Sequence, residues 1–214
     1  MKIVKEGLWV VVPSIVIPIL LIFLTTWHLW TLLFIFAGLM IFFFRDPIRK
    51  PPNDPLSILS PADGQVIMVE KSNTGFSLFI ELSFHNCHLQ RSPINGTVTN
   101  LTRVSGRKRP IHAIKTRLAK AERTVTRSQK NEHNIIEVQM ENSGKMWITQ
   151  MVGVFARRLK SFVGIGEQIL RGQKVGLIYF GSMVKLEMQG QYNLIIEKGD
   201  IVRAGSTIIA YPEA

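Results

Sequence analysis

No side chain between Leu8 and Thr26 is charged, and after Trp27, His28 and Trp30 a second uncharged run, Leu29 to Phe44, is almost wholly apolar. A helix needs roughly 20 residues to cross about 30 Å of hydrocarbon. The first run is long enough, and the second, at 16 residues, crosses only with little tilt or a locally thinned bilayer. The pattern predicts a transmembrane helical hairpin, a membrane anchor over residues 1–44. A cleaved signal peptide would need an apolar stretch of about 7 to 15 residues followed by a small-residue cleavage site, and neither is present. A single span followed by a buried or interfacial helix stays open, because membrane helices tolerate prolines such as Pro13 and Pro18. Beyond Arg45 the pattern changes to short apolar runs punctuated by Gly, Pro and Asn, the punctuation of β structure. Phe76, Leu78, Ile80, Leu82 and Phe84 recur with period two. Ile135 to Met140, Trp147 to Phe155, Val175 to Phe180, Val184 to Met188 and Ile208 to Tyr211 are further strand candidates. The fold class expected for residues 45–214 is mainly β, a compact antiparallel domain.

Charge adds orientation and partners. Lys2 and Lys5 precede the first apolar run and Arg45, Arg49 and Lys50 follow the second, so the positive-inside rule puts both ends in the cytoplasm. The β domain is then expected at the inner face of the cell membrane. The net charge of +11 is concentrated: Arg103 to Lys130 holds ten Lys or Arg residues against one acid, Glu122. Nucleic acid is one partner for such a segment, but a chain held at a bilayer already sits beside anionic lipid, so an anionic membrane surface is expected and nucleic acid is not. A merely solvated basic loop is the plainer alternative. Ile111, Ile114, Leu118 and Val125 fit one face of a basic helix on the membrane, with a loop or strand equally compatible. The single cysteine, Cys87, excludes an intramolecular disulfide and reads as a small buried apolar residue.

Gly166-Glu-Gln-Ile-Leu-Arg-Gly172 and Gly199-Asp-Ile-Val-Arg-Ala-Gly205 form an internal repeat, glycines six apart, each leading into an apolar strand. Such glycine-flanked turns resemble those of the biotinyl or lipoyl hammerhead, so a sandwich with hammerhead-like repeats is expected. That likeness opens a non-enzymatic alternative, a membrane-anchored adaptor or carrier with Lys185 in Val184-Lys-Leu-Glu-Met188 as the carrier lysine. It leaves the histidines and the anchor unexplained.

Four stretches carry a more specific likeness: Phe43-Phe-Arg-Asp-Pro47, Ser60-Pro-Ala-Asp-Gly64, His85-Asn-Cys-His88 leading to Arg91-Ser-Pro-Ile-Asn-Gly96, and Phe180-Gly-Ser182. In this order and at these separations they resemble the short phosphatidylserine decarboxylase proenzymes, with weaker matches at Asn131-Glu132 and Ala156-Arg-Arg158. Position 183 departs from the pattern, with methionine where many short members have arginine. The resemblance implies self-cleavage at Gly181-Ser182 into a β chain, residues 1–181, and an α chain, residues 182–214, that stay associated. Ser182 would become a covalent pyruvoyl cofactor. Glycine lacks a Cβ, so it lets the Ser182 hydroxyl approach the Gly181 carbonyl closely. Attack gives an ester, β-elimination breaks it, and the dehydroalanine left behind hydrolyses to pyruvoyl.

A serine hydroxyl needs a neighbouring base, and a base works best when a third group orients it. By resemblance Asp63, His88 and Ser182 form the self-cleavage triad, while His85 transfers the proton after carbon dioxide is lost from an imine between the pyruvoyl carbonyl and the amine of phosphatidylserine. The implied product is phosphatidylethanolamine, with a related serine-headgroup lipid as the alternative substrate. The resemblance leaves room for a homodimer. Residues three apart on a regular strand face opposite sides, so both histidines reach one site only if the chain bends, and Pro93 and Gly96 are candidates for the bend. A serine hydrolase would need a Gly-x-Ser-x-Gly elbow, which Met183 and Val184 exclude. A zinc site at His85 and His88 lacks further clustered ligands, so no metal is expected.

Overall fold

The computed structural model describes residues 2–21, 27–106, 121–141, 144–153, 158–179 and 182–213. Several expectations fall outside these residues: Gly181 of the cleavage pair, Ala156 and Arg157, the positions Ile111, Ile114 and Leu118, and much of the basic segment. The chain divides into two compact units, Met1–Ile48 and Arg49–Ala214.

In the first unit α1 (Leu8–Leu21) packs on α2 (Trp27–Phe43). A short antiparallel ribbon, β1 (Lys2–Ile3) against β2 (Arg45–Asp46), ties their outer ends with Lys2 opposite Asp46. Val4 N–H donates to the Phe44 carbonyl at 3.1 Å. A Cβ on Gly7 would lie 2.5 Å from the Phe44 ring, so glycine is what lets the chain pass this aromatic. Val11, Trp30, Ala37, Met40 and Phe43 are buried, while Trp9, Val12, Ile17, Leu32, Ile35 and Leu39 remain exposed. A helix pair apolar on all sides has no face designed for water.

The expected transmembrane hairpin is not supported by the described residues. Over their 14 and 17 described residues, the helices rise about 21 and 26 Å, against a hydrocarbon core of about 30 Å. Among the described residues no helix is long and apolar enough to cross a membrane. The first run is described as helix only as far as Leu21, and residues 22–26 lie outside the described residues.

The second unit is antiparallel β throughout. Its main sheet has eight strands: β4 (Gly64–Ser72), β5 (Gly75–Leu82), β7 (Gly96–Val104), β8 (His133–Met140), β9 (Lys145–Val152), β11 (Gln168–Ile169), β13 (Ser182–Gln189) and β15 (Ile201–Val202). Their order is β11-β7-β8-β9-β13-β5-β4-β15. Two three-stranded sheets accompany it. One is formed by β6 (Leu89–Arg91), β10 (Leu159–Ser161) and β12 (Lys174–Ile178), the other by β3 (Ile58–Leu59), β14 (Tyr192–Leu194) and β16 (Ile208–Pro212). Val66, Leu78, Ile80, Leu82, Ile136, Val138, Ile148, Val152, Val184 and Leu186 build the main core on one face of the large sheet. On the other face Ile67, Phe79, Met151 and Met183 are covered by Val125 of α3 (Ala121–Ser128).

The sheet order is palindromic, and the reason is an internal duplication that reaches individual hydrogen bonds. Ser60-Pro-Ala-Asp-Gly64 and Ser92-Pro-Ile-Asn-Gly96 open β4 and β7. Leu59 N–H donates to the Pro93 carbonyl at 3.1 Å and, reciprocally, Arg91 N–H to the Pro61 carbonyl at 2.9 Å. Gly166 and Gly199 N–H donate to the carbonyls of Val98 and Val66, each at 2.8 Å. Gly172 and Gly205 N–H donate to the carbonyls of Ser92 and Ser60 at 2.8 and 2.9 Å. All four repeat glycines have positive φ, between +68° and +108°, a region L side chains enter only with strain. One half of the duplication, β6 to β12, is continuous; the other is split, because the continuous half is inserted between β5 and β13.

Each expected strand is present over its described residues. β4 and β7 escaped period-two reading because each carries a bulge, at Val66/Met68 and at Val98/Asn100, and then runs into water. The bulge breaks the alternation and the exposed ends remove its apolar members.

Candidate active site

The insertion explains why distant motifs meet. The chain leaves the split half after Leu82 and returns at Ser182, and these two residues are register partners across β5 and β13. Both junctions are thus fixed at one place, and they contain His85, His88 and Ser182.

Ser182 opens β13, between Leu82 and Val152 of the flanking strands. Strand alternation puts its side chain on the core face with Val184, Leu186 and Met188. The residue is 0 % exposed, and its Oγ makes no hydrogen bond among the described residues. A buried hydroxyl so placed costs free energy, about 1–3 kcal/mol, which is expected where a group is kept for reaction and not for packing.

At the other junction Asn86 folds the chain back. Asn86 N–H donates to the Ser83 carbonyl at 2.9 Å, and Ser83 N–H donates to Asn86 Oδ1 at 2.8 Å. This turn supplies the bend that Pro93 and Gly96 were expected to supply. It leaves His85 exposed and carries His88 inside, 1 % exposed. His88 Nδ1 lies 2.9 Å from the Asn86 carbonyl. A carbonyl only accepts, so Nδ1 carries the hydrogen and the buried Nε2 is the basic nitrogen. The His88 carbonyl accepts from Ile178 N–H at 3.2 Å, four residues before Ser182. It also accepts from Gln90 Nε2 at 2.7 Å. Gln90 Oε1 accepts from Gln150 Nε2 at 2.7 Å, and Gln150 Oε1 from Asn134 Nδ2 at 3.0 Å. A chain of buried amides thus runs through the core to the main chain of His88.

Asp63 lies in the turn that Arg91 N–H holds against β6, the strand that begins directly after His88. Its Oδ1 accepts from Ala204 N–H at 2.8 Å, and Arg49 grips both carboxylate oxygens, reaching Oδ2 at 2.6 Å. Main-chain bonds thus link the Asp63 turn to β6, just after His88, and the His88 carbonyl to Ile178, four residues before Ser182. The named partner of His88 Nδ1 is the Asn86 carbonyl, and the named partners of Asp63 are Arg49 and Ala204.

Three sequence readings are resolved by these positions. Met183 is buried on the opposite face from Ser182 and accepts a hydrogen bond from Ser128 Oγ of α3 at 3.2 Å. Lys185 sits mid-strand between Phe79 and Thr149, paired with Glu187 at 2.6 Å. A carrier lysine must stand at an exposed hairpin tip, so the carrier alternative is corrected. Cys87 is buried, as an apolar filler would be.

Arg49, Asn86, Gln90, Gln150 and Asn134 were not read as site residues. Arg49 was counted only as a flanking positive charge, although the 32-residue offset between the two Ser-Pro motifs would have exposed the paired turns it serves.

Comparison with known proteins shows the family. The family model described as phosphatidylserine decarboxylase matches residues 36–210. A phosphatidylserine decarboxylase proenzyme of Chlorobium limicola is 33% identical over 177 residues, covering 79% of this chain and 77% of the relative. Those of Symbiobacterium thermophilum and Wolbachia pipientis are 31% and 30% identical, covering 97% and 96% of this chain and 94% and 89% of the relatives. With the motifs, the buried serine and the matched length in agreement, this chain belongs to the phosphatidylserine decarboxylase family of carboxy-lyases.

Proposed function

We propose that the protein is made as a precursor, cuts its own backbone before Ser182, and then decarboxylates phosphatidylserine to phosphatidylethanolamine. The observation that carries this reading is the buried Ser182 Oγ at the start of β13, beside the segment that holds His88 Nε2 as a base. Its burial without a hydrogen-bond partner among the described residues suits a hydroxyl destined to be consumed. His88 would take the hydroxyl proton as oxygen attacks the Gly181 carbonyl, and Asp63 would stabilise the imidazolium that forms. The Ser182 nitrogen then leaves as a free amine, and loss of the Cα proton expels the Gly181 carboxylate. Water finally replaces the amine nitrogen, so one water is consumed and one ammonia released.

A pyruvoyl group at residue 182 would supply the electron sink for decarboxylation. The exposed His85, across the turn from His88, suits proton return to the substrate carbon. β13 is laddered to β5 and β9 along its whole length, which supports the α chain of 33 residues staying bound after cleavage. We read each half of the duplication as a hammerhead-type unit. We further read the apolar helix pair as embedded in the cytoplasmic side of the cell membrane, with the basic segment against anionic headgroups. The reading is tested by release of labelled carbon dioxide from carboxyl-labelled phosphatidylserine in mixed micelles: the wild-type protein should release it and Ser182→Ala should not. Equal release by both proteins would refute it.

A further inference from the structure

We propose that Arg49 is a positioning residue for self-cleavage, holding Asp63 as a fixed buried charge that the duplicated turn itself does not need. The inference rests on the reading of Ser182 as the cleaved residue. Its ground is a control that the molecule carries within itself. In the split half, Asp63 Oδ1 accepts from Ala204 N–H at 2.8 Å; in the continuous half, Asn95 Oδ1 accepts from Arg171 N–H at 2.9 Å. The two turns match in their serines as well, with Ser60 Oγ donating to the Ala62 carbonyl at 2.8 Å and Ser92 Oγ to the Ile94 carbonyl at 2.6 Å. In the exposed Asn95 turn a neutral amide therefore supplies the main-chain contact that the turn requires. A carboxylate in the same place adds a buried charge, which is costly unless paired, so its retention in one half calls for a task beyond folding.

Arg49 meets that cost. Its guanidinium grips both oxygens of Asp63 and also donates to the Ala204 carbonyl at 2.8 Å, with the two side chains 11% and 9% exposed. A fork over a carboxylate fixes direction as well as distance. The carboxylate, the Ser-Pro turn and the second glycine turn become one rigid piece. That piece is tied through the Arg91 N–H to Pro61 carbonyl bond to β6, directly after His88. Arg49 thus acts through Asp63 on the charge that develops at His88, and touches no reacting atom itself.

The test uses the full-length chain, made in a cell-free system with phosphatidylglycerol-containing vesicles, following appearance of the α chain with time and, in parallel, thermal unfolding. A small misplacement of a catalytic group costs on the order of 10²-fold, so Arg49→Gln and Asp63→Asn should each lengthen the cleavage half-time by about that factor. Arg49→Lys, which keeps the charge and loses the fork, should recover part of the rate. Asp63→Asn leaves the Arg49 guanidinium without its carboxylate and is expected to lose stability. Arg49→Gln alone strands a buried carboxylate and is expected to lose stability; the double variant Arg49→Gln/Asp63→Asn should regain the fold and stay slow. Wild-type cleavage in Arg49→Gln or in the double variant would overturn the proposal, as would unfolding of the double variant. A wild-type chain that never cleaves would instead overturn the self-cleavage reading on which it rests.

Discussion

Replacing Gln150 with leucine probes the amide chain that reaches His88. Gln150 is 0 % exposed on the core face of β9, where its amide lies against Gly176; a Cβ there would meet Gln150 Nε2 at 2.4 Å. Leucine is close in volume, so the cost is chiefly polar. The substitution orphans Gln90 Oε1 and one hydrogen of Asn134 Nδ2, whose other hydrogen still reaches Ser161 Oγ at 2.8 Å. Each buried orphan costs about 1–3 kcal/mol, so the variant should lose about 2–6 kcal/mol. Measured by urea unfolding in detergent, in a Ser182→Ala background that keeps the chain in one piece, the midpoint should fall by about 1–3 M for a slope near 2 kcal/mol/M. Adding Gln90→Leu removes one orphan, so the double variant should be less destabilised than the sum of the two single variants. A midpoint shift under about 0.3 M, or strict additivity, would refute the view of these amides as one satisfied network.

Other outcomes follow from the site and the fold. His88→Ala should remain full length, whereas His85→Ala should still cleave but turn over phosphatidylserine about 10²- to 10⁴-fold more slowly; gel analysis and a decarboxylation assay separate the two, and an uncut His85→Ala would break the division of labour. The hydrogen bond and charge of Lys145, 2.8 Å away, hold the Glu137 carboxyl below its usual range. Its contribution is therefore present above the unfolded-state pKa and disappears as pH falls through the folded one. Glu137→Gln should cost at most about 1 kcal/mol near neutrality, with the difference in unfolding temperature vanishing in acid; a difference that grows in acid would contradict the sign. Gly166 and Gly199 have positive φ and open space around a would-be Cβ, so alanine at either should cost about 1–2 kcal/mol, and clearly unequal costs would argue against the equivalence of the two turns.

The parts of the molecule that follow a simple period were legible in its sequence. Phe76 to Leu82 and Ile135 to Met140 alternate because one side of each strand faces the core, and the strands are where the alternation puts them. The repeat glycines were legible because positive φ leaves few residue types to choose from. The duplication itself was only partly visible: Asp63 and Asn95 differ in charge, Ala62 and Ile94 in size, and the hydrogen bonds that make the turns equivalent belong to the main chain. The two uncharged runs were legible as apolar helices, and both helices are present over the described residues. Ser182, His88, Asp63 and His85 were found as motif members, but the turn that separates exposed His85 from buried His88 depends on an Asn86 side chain that no period announces. Arg49 was invisible as a partner of Asp63 because the two meet only once the Ser-Pro turn has folded back.

Intact mass of the purified protein tests the central claim most directly. The account predicts two species, Met1–Gly181 and a 33-residue chain beginning at position 182. The second should be lighter by one ammonia than the same chain beginning with serine, and resistant to amino-terminal sequencing. A single full-length species that nevertheless decarboxylates phosphatidylserine would contradict it.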